Sequence, residues 1–139
     1  MADEHAFLLE FAVRDYECDL QGIVNNAVYQ NYLEHTRHEF LRFLGIDFSR
    51  LHTQGTDPVV SRIEIDYISP LSSADKFLVT LDVRRRGRLR FVFDQQIVTI
   101  PDSRQILRAT VSAVFVRNGR PIPAPQEVLE ALGTVQGFS

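Results

Sequence analysis

What most constrains this chain is a switch in the period of its apolar residues. Between Val28 and Leu44 the positions Tyr29, Leu33, Phe40 and Leu44, with Tyr32 and Phe43 beside them, recur at helical spacing. Elsewhere the chain alternates, as half-buried strands do. Phe7, Leu9, Phe11 and Val13 form the first alternating run, against Glu10 and Arg14. Val59, Ser61, Ile63, Ile65 and Tyr67 form the second, against Arg62, Glu64 and Asp66. Phe77, Val79, Leu81 and Val83 mark the third, and Leu89, Phe91 and Phe93 begin a fourth that reaches Ile100. Leu107, Ala109, Val111, Ala113 and Phe115 make the fifth. Gly87 and the stretch from Pro101 to Arg104 read as hairpin turns, and Asn118-Gly119 ends the last run.

Asn25 or Asn26 suits the N-cap of the long helix, and Gly45 stands where a C′ glycine belongs. The segment from Ser49 to Pro58 reads as a polar loop. Pro125 and Gly133 bracket a short C-terminal helix. One amphipathic helix against one sheet predicts a two-layer α+β domain over residues 1–139. Its long central helix is wrapped by a five-stranded antiparallel sheet. One helix leaves much of the opposite sheet face bare. Val60 and Ile68, or Leu78 and Val92, would lie there and favour self-association, so a homo-oligomer is expected, in the form of a dimer of dimers.

Composition excludes several functions. The 139 residues are 45% hydrophobic and 24% charged, with a formal charge of −3, which points to neither a nucleic-acid binder nor a membrane-surface protein. The single cysteine, Cys18, allows no internal disulfide and suits a reducing, cytoplasmic compartment. The opening "MADEHAFLLEFAV" carries acidic residues where a signal peptide would carry basic ones, and Glu10 breaks its apolar run. No apolar stretch approaches the roughly 20 residues needed to span a bilayer.

The chemistry concentrates in "YECDLQGIVNNAVY", Tyr16 to Tyr29. Asp19 precedes the helix start by a few residues, in a stretch otherwise able to be buried. An isolated carboxylate is costly to bury, so Asp19 calls for either a hydrogen-bonded structural role or chemistry. The run Asp19-Leu20-Gln21-Gly22-Ile23-Val24-Asn25-Asn26 resembles the signature of hotdog-fold thioesterases of the 4-hydroxybenzoyl-CoA thioesterase type. That signature is an acid, two variable residues, a glycine, an apolar pair and the central helix. The longer run "RDYECDLQGIVNNAVYQNYLEHTRHEFLRFLGI" is similar to plant acyl-lipid thioesterases and to cyanobacterial 1,4-dihydroxy-2-naphthoyl-CoA thioesterase-like proteins. The "DYISPL" step into the third strand fits as well, so the resemblance covers nearly the whole chain.

The resemblance implies hydrolysis of an acyl-CoA or acyl carrier protein thioester without a cofactor. It implies that Asp19 is the nucleophile or general base and that the Asn26 backbone N–H holds the carbonyl oxygen. Free N–H groups at a helix start carry positive partial charge and stabilise a developing oxyanion. Gly22 would allow close approach or a conformation that side chains forbid. Asn25 and Tyr29 are expected to contact substrate. Many relatives place a histidine after the glycine. Here that position is Ile23, so an acid–base role for that histidine does not carry over.

Other readings stand beside these. Asp19 also fits a turn acid capping nearby amides, and Glu17 is close enough to be a backup acid. Cys18 reads as core packing rather than a nucleophile. His35 and His38 with Glu34 and Glu39 have metal-compatible helical spacing without a His-Glu-x-x-His motif, and no metal is expected. Arg84, Arg85, Arg86, Arg88 and Arg90 crowd one turn. They fit either a solvated, charge-protected hairpin or, through Arg86, Arg88 and Arg90, a dock for coenzyme A phosphates or an acidic carrier protein. The rival functions are a hotdog dehydratase or hydratase, which the loss of histidine at Ile23 disfavours, and a catalytically silent acyl-thioester binding protein.

Overall fold

The computed structural model describes residues 4–139. Met1, Ala2 and Asp3, the start of the stretch weighed above as a signal peptide, lie outside the described residues. The elements in chain order are β1 (Phe7–Ala12), α1 (Asn26–Phe43), α2 (Phe48–Thr53), β2 (Thr56–Tyr67), β3 (Lys76–Arg86), β4 (Arg90–Ile100), β5 (Gln105–Arg117), β6 (Arg120–Ile122) and α3 (Gln126–Leu132). The sheet runs β1-β3-β4-β5-β2 with antiparallel pairing, and β6 pairs β5. Among the described residues no helix is long and apolar enough to cross a membrane.

Three details differ from the expectations. The sheet has six strands rather than five, because Asn118-Gly119 turns the chain back into the three-residue β6. The polar loop contains α2. Asp47 caps it by accepting from the Arg50 N–H at 3.0 Å, and Leu51 is buried beneath it. The register of β2 against β5 shifts between Val60 and Arg62. Val60, opposite Ala113, and Ile63, opposite Val111, therefore share a side, where strict alternation would separate them.

The core has two halves along α1. Tyr29, Tyr32 and Leu33 pack with Leu71, Phe77 and Ile97. Further along, Phe40 packs with Leu81, Val83 and Phe93 and with Val128 and Leu132 of α3. At the division Arg37 donates from Nη1 to Gln95 Oε1 at 3.1 Å, and Gln95 donates from Nε2 to the Leu33 carbonyl, also at 3.1 Å. Buried polar groups demand partners, so this chain of bonds sets the register of α1 on β4. The helix start lies over the beginning of β3. Its end lies toward the β3–β4 hairpin.

Of the two pairs that alternation offered for the bare apolar surface, Val60 and Ile68 are exposed and Val92 is not. Val92 points outward by alternation, yet it is 0% exposed. It sits on a strand flanked on both sides, with Arg84 and Ser112 as register neighbours, and an arginine stem can cover apolar surface. The exposed apolar residues run along edge strand β2 and just past it, as expected of the first pair, with Val60 at 46% and Ile68 at 47%.

Candidate active site at the start of the long helix

The Asp19 loop is a small hairpin stapled to the protein. Cys18 and Val24 form an antiparallel bridge. The Asp19 N–H donates to the Ile23 carbonyl at 2.8 Å, and the Gly22 N–H donates to the Asp19 carbonyl at 3.0 Å. Gly22 closes the turn at φ 80°, a conformation that favours glycine. A Cβ there would meet nothing within 4 Å, so within one protomer the glycine serves backbone conformation, not close approach. Two further bonds moor the loop: Val24 N–H to the Leu71 carbonyl at 2.9 Å, and Asn25 N–H to the Glu17 carbonyl at 3.0 Å.

Asn25 is the N-cap of α1. Its side chain accepts from the Ala27 N–H at 3.0 Å, and its carbonyl accepts from the Val28 N–H at 2.9 Å. Asn26 is the first helical residue, and among the described residues its N–H has no acceptor. Asp19 Oδ1 accepts from the Gln21 N–H at 2.8 Å and from the Ile23 N–H at 3.4 Å. The turn-acid arrangement is therefore present, but it uses one carboxylate oxygen. Among the described residues Oδ2 has no partner. Asp19, Gly22, Asn25 and Asn26 are all exposed and close together in one stapled turn.

The neighbouring groups are engaged elsewhere. Glu17 Oε1 accepts from the Tyr32 hydroxyl and from the Arg14 N–H, each at 2.8 Å. Burial, reinforced by that carboxylate, pushes the Tyr32 phenol well up from its ordinary value. Desolvation raises the Cys18 thiol, and the carboxylates of Asp15, Asp19 and Glu17 raise it further, so it stays protonated. Tyr29 is in the core, 4% exposed, and its hydroxyl accepts from the Leu71 N–H at 3.0 Å. His35 stands edge-on to Phe11. Among the described residues no group of three or more His, Cys, Asp or Glu is placed to hold a metal ion.

The arginine hairpin does not join this cluster. The Asp19 loop is tied to Leu71 and Ser72, just before β3 begins at Lys76, whereas Arg86 ends that strand. Ten residues of strand span about 33 Å. Arg86, Arg88 and Arg90 are exposed at the opposite end of the sheet, where Arg84 pairs with Asp94 at 2.8 Å.

That same end holds an apolar cavity whose lining residues the sequence did not identify. A cavity of about 410 Å³ lies between the second half of α1, β4, β5 and α3, with Phe91, Phe93 and Phe115 on its walls. These residues have the alternation of ordinary core. Only their assembly from several elements reveals a space among them.

A long helix wrapped by an antiparallel sheet of this strand order is the hotdog class. The model of the Thioesterase-like superfamily matches residues 13–132, and the chain belongs to that family. It is 40% identical over 121 residues to a chloroplastic acyl-acyl carrier protein thioesterase of Arabidopsis thaliana, a match covering 86% of this chain and 64% of that protein. The chain thus spans less than two thirds of that relative's length. A putative esterase of Aquifex aeolicus is 32% identical over 126 residues, covering 91% of this chain and 97% of the relative. A crystal structure of a 1,4-dihydroxy-2-naphthoyl-CoA thioesterase from Synechocystis superposes with a TM-score of 0.86 at 20% identity, over 92% of this chain and 96% of that one, a likeness of fold.

Proposed function

We propose that the protein is an acyl thioesterase that hydrolyses an acyl carrier protein or coenzyme A thioester to free acid and thiol. The observation that carries this reading is the Asn26 N–H at the start of an 18-residue helix, without an acceptor among the described residues, on the same stapled turn as a carboxylate whose Oδ2 has no partner among them. The names of the Arabidopsis relatives support the substrate class. In this reading the thioester carbonyl accepts from Asn26, and Asn25 lines the approach. Asp19 either takes the proton of an attacking water or attacks the carbonyl itself to form an anhydride that water then opens. Collapse of the tetrahedral intermediate expels the thiolate, which is protonated by the proton Asp19 took from water or, in the anhydride route, by solvent. Tyr29 acts from the core, holding the Leu71 segment against the helix start. The chemistry needs no cofactor. The lone Cys18 suits a reducing compartment, and we place the enzyme in the cytoplasm.

Thiol release from a panel of acyl thioesters tests the assignment. Turnover supports it. Water addition to an enoyl thioester, without hydrolysis, would replace it with a hydratase, and tight binding without either reaction would leave a binding protein.

The arginine hairpin serves the carrier in this reading, at a site completed by another subunit, because its own Asp19 is about 33 Å of strand away. Charge contacts outside the reacting centre act on KM more than on kcat, and salt screens them over about 8 Å at physiological ionic strength. Replacing Arg86, Arg88 and Arg90 together with glutamine should raise KM for a full coenzyme A thioester and flatten its salt dependence. A short analogue lacking the nucleotide should be unaffected. Equal kinetics for both substrates in the triple variant at low salt would make the hairpin a solvated turn.

A further inference from the structure

The chain just ahead of the Asp19 hairpin carries an inference that rests on the thioesterase reading and deepens it. We propose that Glu17 is a positioning residue: clamped by the buried Tyr32 hydroxyl, it holds Asn25 through its backbone carbonyl and so aims the Asn26 N–H at the thioester oxygen.

The bonds form a closed circuit. Tyr32 lies six residues beyond Asn26, about 9 Å along α1. Its hydroxyl donates to Glu17 Oε1 at 2.8 Å, and the Glu17 carbonyl accepts from the Asn25 N–H at 3.0 Å. Asn25 returns to the helix by capping Ala27 and Val28. A first helical N–H has no intrahelical acceptor to orient it, so its direction follows from the residue before it. That residue, Asn25, is tied to Glu17 on one side and to the helix on the other.

The carboxylate of Glu17 is placed to support the turn, not to act as a second acid. Glu17 lines a groove between β1 and α1 with Leu9, Phe11, Tyr32 and His35, and among the described residues none from 18 to 26 borders it. Its Oε1 also accepts from the Arg14 N–H at 2.8 Å, which secures the short 3₁₀ turn Asp15–Glu17. The side chain thus belongs to the groove, and only the backbone of Glu17 reaches the helix start.

The hydroxyl of Tyr32 argues for the clamp. Tyr32 is 4% exposed and packs on Phe11 and Phe77, contacts that a phenylalanine would also make. A buried hydroxyl costs free energy unless it is bonded, and a bond to a carboxylate is of the stronger, charge-assisted kind. Tyr29, one turn earlier, makes a matching tie to the Leu71 N–H, and the Leu71 carbonyl receives the Val24 N–H. Two core tyrosines therefore brace the segment at Glu17 and at Val24, on either side of Asp19.

Steady-state kinetics on one acyl thioester, run well below the Tm of each variant, test the proposal. Tyr32→Phe removes one hydroxyl and should lower kcat by about ten- to hundredfold, the scale of a small misplacement at a reacting centre. KM should stay near the parental value, because an oxyanion donor acts in the transition state. Glu17→Ala should behave alike, whereas Glu17→Gln keeps an oxygen for Tyr32 and Arg14 and should retain most of the kcat that Glu17→Ala loses. Asn26→Pro deletes the donor itself, so adding Tyr32→Phe to it should cost little more than Asn26→Pro alone. Wild-type protein inactive on every thioester would refute the parent reading. With wild-type protein active, a folded Tyr32→Phe variant at the parental kcat would refute the positioning role alone. Glu17→Gln as impaired as Glu17→Ala would make the charge the essential element and overturn the clamp. Losses that multiply in the double variant would show that Tyr32 does not act through Asn26, and would overturn it equally.

Discussion

Asp19→Asn is expected to fold normally and to lose hydrolysis by about 10²-fold or more, the loss expected on removing a general base. The structure makes this substitution unusually clean. Asp19 holds its turn by accepting from Gln21 and Ile23 through one oxygen, and the asparagine carbonyl can accept the same two bonds. What disappears is the second oxygen, which has no partner among the described residues and becomes an amide that neither takes a proton nor attacks a carbonyl. Circular dichroism and the melting temperature should match those of the parent while kcat falls. A folded Asp19→Asn protein turning over at the parental rate would remove Asp19 from the chemistry and leave it as the turn acid alone.

The parts of the fold that were legible in the sequence are those in which one local rule decides. The long helix begins at an asparagine cap and ends before Gly45, at φ 76°, because caps and left-handed glycines act over a few residues. The five long strands follow from alternation. The misses have a common cause, which is that tertiary packing overrode the local pattern. Phe48 and Leu51 give the polar segment an apolar face to bury as α2. The register shift at Ser61 re-aims Val60 in a way only its partner strand reveals.

The candidate site divides along the same line. Asp19, Gly22, Asn25 and Asn26 are contiguous, so reading them as one unit required only the chain order. The arginine hairpin is far from them because one strand length separates Lys76 from Arg86. The cavity draws on residues from Glu34 to Leu132, and no spacing in the chain joins them.

The second large effect concerns a backbone atom, which ordinary side-chain substitution cannot remove. Asn26 is the first residue of α1, and proline is well tolerated at that position because its missing N–H has no intrahelical partner and its φ already suits a helix. The preceding residue also fits. Asn25 has φ −66° and ψ 141°, the extended conformation that a following proline favours. The caps to Ala27 and Val28 come from Asn25 and should persist. Asn26→Pro should therefore keep the fold while deleting the one donor assigned to the oxyanion. Loss of such a donor lowers kcat by about 10²- to 10³-fold. Asn26→Ala keeps the amide and is the control for the side chain, with kcat expected near the parental value. If a folded Asn26→Pro enzyme kept the parental kcat, the helix start would not be the oxyanion site. If both variants lost activity equally, the asparagine side chain would be the group at work.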